Sequence, residues 1–185
     1  MPENVAHPGI PNGHIITLGN YLPWWYHKQR GGDGGNYPTF SGRLLDLKES
    51  RERGIAYFLT ILQDNIRTNS QLAVAVVPSH DALKLRSGVH QLATRFSAGF
   101  GALDTGDLLL RTTTIQKLAT GGDRSISVHL NSMSANKIER VKGHNVLLID
   151  DIMTTGNSLA AGRQVLLKAG AGDVLCIALG KTSYE

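Results

Sequence analysis

Along the chain, the apolar positions change character near residue 43. Beyond it, Ile55, Phe58, Leu59, Leu62 and Ile66 recur at three- and four-residue spacing, as one buried face of a helix does. Leu72-Ala73-Val74-Ala75-Val76-Val77 is then continuously apolar and ends at Pro78, which predicts a strand covered on both faces. Val89, Leu92, Ala93 and Phe96 mark the inward side of a second helix over 87–100. Residues 107–112 read as a further strand, and the alternation of Ile126, Val128 and Leu130 predicts a half-exposed one, with a polar segment between them. Residues 145–150 form the clearest buried strand; after a short turn a helix runs from about Ser158 to Ala169, stopped by Gly170, and 174–179 supply one more strand. Strands alternating with helices predict an α/β fold. A mostly parallel twisted sheet is flanked by helices, with ligands beyond the strands' carboxyl ends.

The first 42 residues carry a different pattern. Five of the six prolines and the Gly31-Gly32-Asp33-Gly34-Gly35 cluster lie there, which predicts an irregular segment rather than long helices. Both tryptophans sit in Tyr21-Leu22-Pro23-Trp24-Trp25-Tyr26, so this segment either packs onto the rest or lines a cleft. The expected division is an irregular hood over 1–42 and a core over 43–185.

At 185 residues and 41% hydrophobic content the chain suits one domain with its own core and, by expectation, one site. Cys176 lies in an apolar run, as a buried hydrophobe does, and one cysteine excludes an intrachain disulfide framework. The net charge of +4 favours anionic ligands mildly and does not diagnose a nucleic-acid binder. No apolar run approaches the roughly 18 residues of a membrane span, and Met1-Pro2-Glu3-Asn4 lacks a secretion-signal layout, so the expectation is a cytoplasmic protein. Arg30, Lys48, Arg51 and Arg53 read as solvent-facing charges. His7, His14, His27, His129 and His144 have no metal-ligand spacing and read as surface or structural.

The candidate chemistry lies in Val146-Leu147-Leu148-Ile149-Asp150-Asp151-Ile152-Met153-Thr154-Thr155-Gly156-Asn157-Ser158. A buried strand delivers two carboxylates to the sheet edge, and a turn rich in hydroxyls and glycine then opens a helix whose first N–H groups point outward. Thr154, Thr155 and Ser158 can donate to a phosphate, Gly156 lets backbone approach, Asn157 completes the turn as a further binding candidate, and the helix N-terminus adds partial positive charge. Asp150 and Asp151 can accept from vicinal sugar hydroxyls or attract magnesium. Phosphate plus diol points to ribose 5-phosphate. A capped strand–turn–helix without a ligand, or a magnesium-dependent phosphatase or phosphoacceptor site, uses similar residues.

These thirteen residues resemble the phosphoribosyl-pyrophosphate (PRPP) binding signature of type I phosphoribosyltransferases, and from about Leu44 to Leu179 the chain resembles the competence protein F branch. Val77-Pro78-Ser79-His80, followed by Arg86-Ser87-Gly88-Val89-His90-Gln91, is similar to that family's pyrophosphate loop and the helix start after it, with Ser87 and His90 departing from the usual pattern. Arg111 to Leu118, with Arg124 downstream, is similar to its mobile segment. The zinc ribbon that usually opens the family is missing, since no cysteine precedes Cys176.

The resemblance implies Asp150 and Asp151 at the ribose, residues 154–158 at the 5-phosphate, Ser79, His80 and Arg86 at the pyrophosphate, and Arg111, Lys117 and Arg124 closing over the leaving group. It implies Mg2+ carried mainly by PRPP, a homodimer, and an acceptor that the sequence does not identify. The plainer readings are a helix cap for His80 and solvated charges for Arg86, Arg111, Lys117 and Arg124. The expected activity is a phosphoribosyltransferase. The alternative is a non-catalytic PRPP-binding regulator or a DNA-uptake accessory protein that binds single-stranded DNA.

Overall fold

The computed structural model describes residues 2–10, 13–67, 72–84, 86–103, 107–116 and 125–185. Its centre is a parallel arrangement of β4 (Leu72–Val76), β7 (Asn145–Met153) and β8 (Asp173–Thr182). Beside β8 lie β2 (His14–Thr17), parallel to it, and β1 (Glu3–Ala6), antiparallel to β2, giving the order β1-β2-β8-β7-β4. The short β3 (Asn20–Tyr21) pairs with the end of β8. The start of the chain is therefore not irregular throughout. Its Ile15 and Thr17 are buried, and short strands with such alternation are recruited by a neighbouring sheet even in Pro/Gly-rich surroundings.

Period-two alternation sorts the core into two layers. Ala73, Ala75, Val146, Leu148, Cys176 and Ala178 face one side, where α7 (Asn157–Lys168) packs through Leu159, Ala160 and Leu166. Val74, Val76, Leu147, Ile149, Ile177 and Leu179 face the other. That side is covered by α2 (Thr39–Lys48), α3 (Glu52–Asn65) and α4 (Gly88–Phe100), whose Phe58 and Phe96 are fully buried, each worth about 2–3 kcal/mol. Because α4 starts at Gly88, where a Cβ would sit 1.8 Å from the Leu47 carbonyl oxygen, α2 and α4 meet directly at the sheet's carboxyl edge.

A smaller antiparallel pair, β5 (Leu109–Arg111) with β6 (Met133–Ala135), stands beside the main sheet. Residues 126–132 form a helix, α5 (Ile126–Ser132), not the strand that their alternation predicts. The inward face runs through Ile126, His129 and Ser132 at helical spacing, and two of those three are polar, so the apolar pattern hid the period. A single turn, α6 (Ile138–Val141), leads into β7, and α1 (Trp24–Gln29) has no buried residue.

Arg51 and Arg53 are not idle surface charges. With Arg43 they surround the buried Asp46 of α2, Arg53 Nε lying 2.6 Å from its carboxylate. Burial alone would raise that carboxyl; hydrogen bonds from Arg53, Arg51 and Arg43 outweigh it and hold it below the usual range.

Candidate functional site

Beyond the carboxyl ends of β4 and β7 lies a cleft of about 710 Å³. One wall is the end of β7 and the start of α7, contributing Asp150, Asp151, Thr154 and Ser158; opposite are Ser79 and His80 from the loop after β4, with Arg111 from β5. Lys48, at the end of α2, lies between them, and the mouth is formed by Tyr21, Trp25 and Tyr184.

The strand β7 runs through both acids before ending at Met153, and neighbouring side chains turn their carboxylates apart. Asp150 faces α7, where its Oδ2 accepts from the Ser158 hydroxyl at 2.9 Å; Asp151 faces α2, with Lys48 Nζ 3.6 Å from its Oδ2. The Asp151 N–H donates to Asp150 Oδ1 and the Ile152 N–H to Asp151 Oδ1, at 2.9 and 2.7 Å, which fixes both rotamers. Burial, together with the neighbouring Asp151 charge, pushes the Asp150 carboxyl up to about 7, against the opposing effect of Ser158. A carboxylate poised there switches between accepting and donating with small changes in its surroundings.

The turn between β7 and α7 is open to solvent at Thr154 and Thr155. Gly156 is its hinge: φ is +85°, and a Cβ would lie 2.7 Å from Ile15 Cδ1 and 2.9 Å from His7 Cδ2. With glycine as N-cap, no capping side chain takes the first N–H groups of α7, although the Thr155 hydroxyl lies 3.4 Å from the Asn157 N–H. The far side of the turn is braced by the start of the chain. The Gly9 N–H donates to His7 Nδ1 at 3.0 Å, so the ring proton resides on Nε2, which donates to Asn157 Oδ1 at 3.1 Å.

The loop after β4 is held from a distance. Arg111 is buried, and its guanidinium donates to the Ser79 carbonyl at 2.9 Å, the Pro78 carbonyl at 3.3 Å and the Ser132 hydroxyl at 2.6 Å. Segment 112–116 adds two bonds, from the Ile115 N–H to the His80 carbonyl and from the Ala82 N–H to the Thr114 hydroxyl. The Ser79 hydroxyl stands 3.4 Å from His80 Nδ1.

Of the residues expected at the site, Asp150, Asp151, Ser79, His80, Arg111, Thr154 and Ser158 line one cleft. Thr155, Gly156 and Asn157 shape the turn without forming its wall. Arg86 opens instead into a second cavity. Lys117 and Arg124 lie outside the described residues. Sequence reasoning placed Lys48 on solvent, and nothing in the spacing of α2 distinguishes its last residue as a partner of Asp151. Tyr184 and His129 also line the cleft without having been singled out for it. Trp25 is 61% exposed at the mouth, its ring centroid 6.1 Å from that of Tyr184.

Among the described residues no group of three or more His, Cys, Asp or Glu could hold a metal ion, and no helix is long and apolar enough to cross a membrane. The hard oxygens of Asp150 and Asp151 suit a cation that brings its remaining ligands with a substrate.

Residues 91–181 match the phosphoribosyl transferase domain family, a segment running from α4 to the end of β8 and containing both acids and the turn. In fold, the chain is similar to the crystal structure of phosphoribosylpyrophosphate synthetase from Mycobacterium smegmatis, at 13% identity and a TM-score of 0.45, over 98% of this chain and 72% of that one. No curated protein matches the chain.

Proposed function

We propose that the chain is a phosphoribosyltransferase that binds PRPP and passes its 5-phosphoribosyl group to an acceptor nitrogen, releasing pyrophosphate. The observation that carries this reading is the meeting, in one cleft, of an acid pair, a solvent-open hydroxyl turn at a helix start, and the loop after β4. Asp150 and Asp151 would accept from the ribose hydroxyls, the turn from Thr154 to Ser158 would hold the 5-phosphate, and Ser79 and His80 would meet the pyrophosphate. Lys117 and Arg124 are assigned to the leaving group on the sequence resemblance alone, as are the competence protein F branch, the homodimer and the cytoplasmic setting. Mg2+ would arrive bound to the pyrophosphate and neutralise it as it departs.

The work left to the protein is positioning and charge stabilisation. Departure of pyrophosphate from the anomeric carbon leaves an oxocarbenium-like ribose, and a nearby carboxylate and ordered donors favour that charge distribution over the ground state. The planar, half-exposed rings of Trp25 and Tyr184 at the mouth suit a flat, base-like acceptor. Calorimetry with PRPP and magnesium on the wild type and on Asp150→Asn/Asp151→Asn, then an acceptor screen read by pyrophosphate release, tests the reading. Binding lost in the double variant, with acceptor-dependent release in the wild type, supports it.

One observation favours the alternative of a PRPP-binding regulator or DNA-uptake accessory. The Arg111 guanidinium bonds to loop carbonyls and the Ser132 hydroxyl, a holding role that needs no turnover. Tight PRPP binding without pyrophosphate release, together with salt-sensitive binding of single-stranded DNA, would decide for it.

A further inference from the structure

The loop after β4 has two sides, and only one of them belongs to the cleft. On the other lies a second cavity of about 620 Å³, within the range of small-molecule sites. Arg86, expected beside Ser79, opens here, together with Lys84, His90 and Lys137. Pro78, Leu109 and Leu110 give it an apolar floor, and Gln91, Thr94 and Asn136 supply amide and hydroxyl groups.

Among the described residues its charge is unbalanced. Of the two carboxylates in the described lining, Asp107 is paired with Lys137 at 2.7 Å, and Asp81 Oδ1 accepts from the Leu83 N–H. Neither Lys84 nor Arg86 has a carboxylate within ion-pair distance among the described residues. Cations left unmatched over an apolar floor suit an anion with an organic body better than they suit water or a bare metal ion.

The two cavities also share a wall. Pro78, Lys84 and Arg111 line both, and Arg111 grips the carbonyls of Pro78 and Ser79, the residues that present the loop to the cleft. An occupant of the outer cavity therefore touches the same loop and the same guanidinium that shape the inner one. Coupling of this kind requires only that the occupant favour one arrangement of the loop over another.

We propose that the outer cavity is a second, regulatory site for a phosphate-bearing small molecule, held by Lys84 and Arg86 against Pro78, Leu109 and Leu110. The binding stands independently of the proposed function; the regulation rests on it.

The test uses ADP as probe on the full chain, by calorimetry with and without excess ribose 5-phosphate. ADP is expected to bind at one site that ribose 5-phosphate does not displace. Arg86→Glu should weaken that binding roughly tenfold or more, and Thr94→Trp, which fills the cavity from an exposed position, should abolish it without changing the melting temperature. In the wild type, ADP should shift the affinity for ribose 5-phosphate several-fold. Absence of ADP binding, displacement by ribose 5-phosphate, or unchanged binding in both variants overturns the site. So does a concentration-dependent dimer that Arg86→Glu dissolves, because the cavity would then be an interface. If ADP follows the expected variant pattern while ribose 5-phosphate binds nowhere, the outer site stands and the proposed function of the inner cleft falls.

Discussion

The two sides of the cleft are built by different means. The β7–α7 side is continuous in sequence: strand, acids, turn and helix start follow one another within residues 145–158, and most of their bonds are local, such as Ser158 to Asp150. The side after β4 is held by Arg111, more than thirty residues away, through carbonyls that every residue possesses. A local site is specified by which residues stand in it. A remote-held site is specified by where its clamp comes from.

That contrast can be broken most forcefully at the clamp. Arg111→Leu removes bonds to two carbonyls and a hydroxyl in a buried setting and is expected to cost about 3 kcal/mol in urea denaturation. Arg111→Lys should recover little, since a single ammonium cannot span three acceptors. A variant as stable as the wild type would show that the loop holds itself.

At the local side, Gly156→Val is expected to cost about 2 kcal/mol, because it forces a branched residue to φ +85° against Ile15 and His7. Ribose 5-phosphate affinity should fall roughly tenfold or more by calorimetry. Retained affinity would mean the turn does not hold the phosphate.

Protonation sharpens the comparison further, since only the local side carries the raised acid. The folded protein holds the Asp150 proton up to about pH 7, whereas an unfolded chain releases it near pH 4. The ligand-free protein should therefore lose stability as pH rises from about 4 to 7 and level off above that. Asp150→Asn should flatten the difference in melting temperature, and identical pH profiles would refute the assignment. The smallest effect is expected at the brace: His7→Ala should cost about 1 kcal/mol, and His7→Gln, which keeps a donor for Asn157, should restore part of it.

What the sequence disclosed follows the same division. The strands β4, β7 and β8 and the helices α3, α4 and α7 were legible because one apolar side chain after another repeats with the period of its element. That Asp150, Asp151, Thr154 and Ser158 come together in one cleft was legible because they are nearly contiguous in sequence. Lys48 was not, because its meaning depends on α2 ending beside Asp151, a matter of packing between elements. That Arg86 lines the second cavity was not legible, because spacing along an extended segment does not say which way a side chain leaves it. The helix α5 was hidden by His129 and Ser132, buried polar residues that no hydrophobic count includes.

The order β1-β2-β8-β7-β4 carries a consequence for biosynthesis. The hairpin of β1 and β2 is made well before β8, against which its berth in the sheet lies. Until then Ile15 lacks its neighbour, and the wall behind Gly156 cannot be completed. Assembly should thus be paced by a long-range closure rather than by the helices.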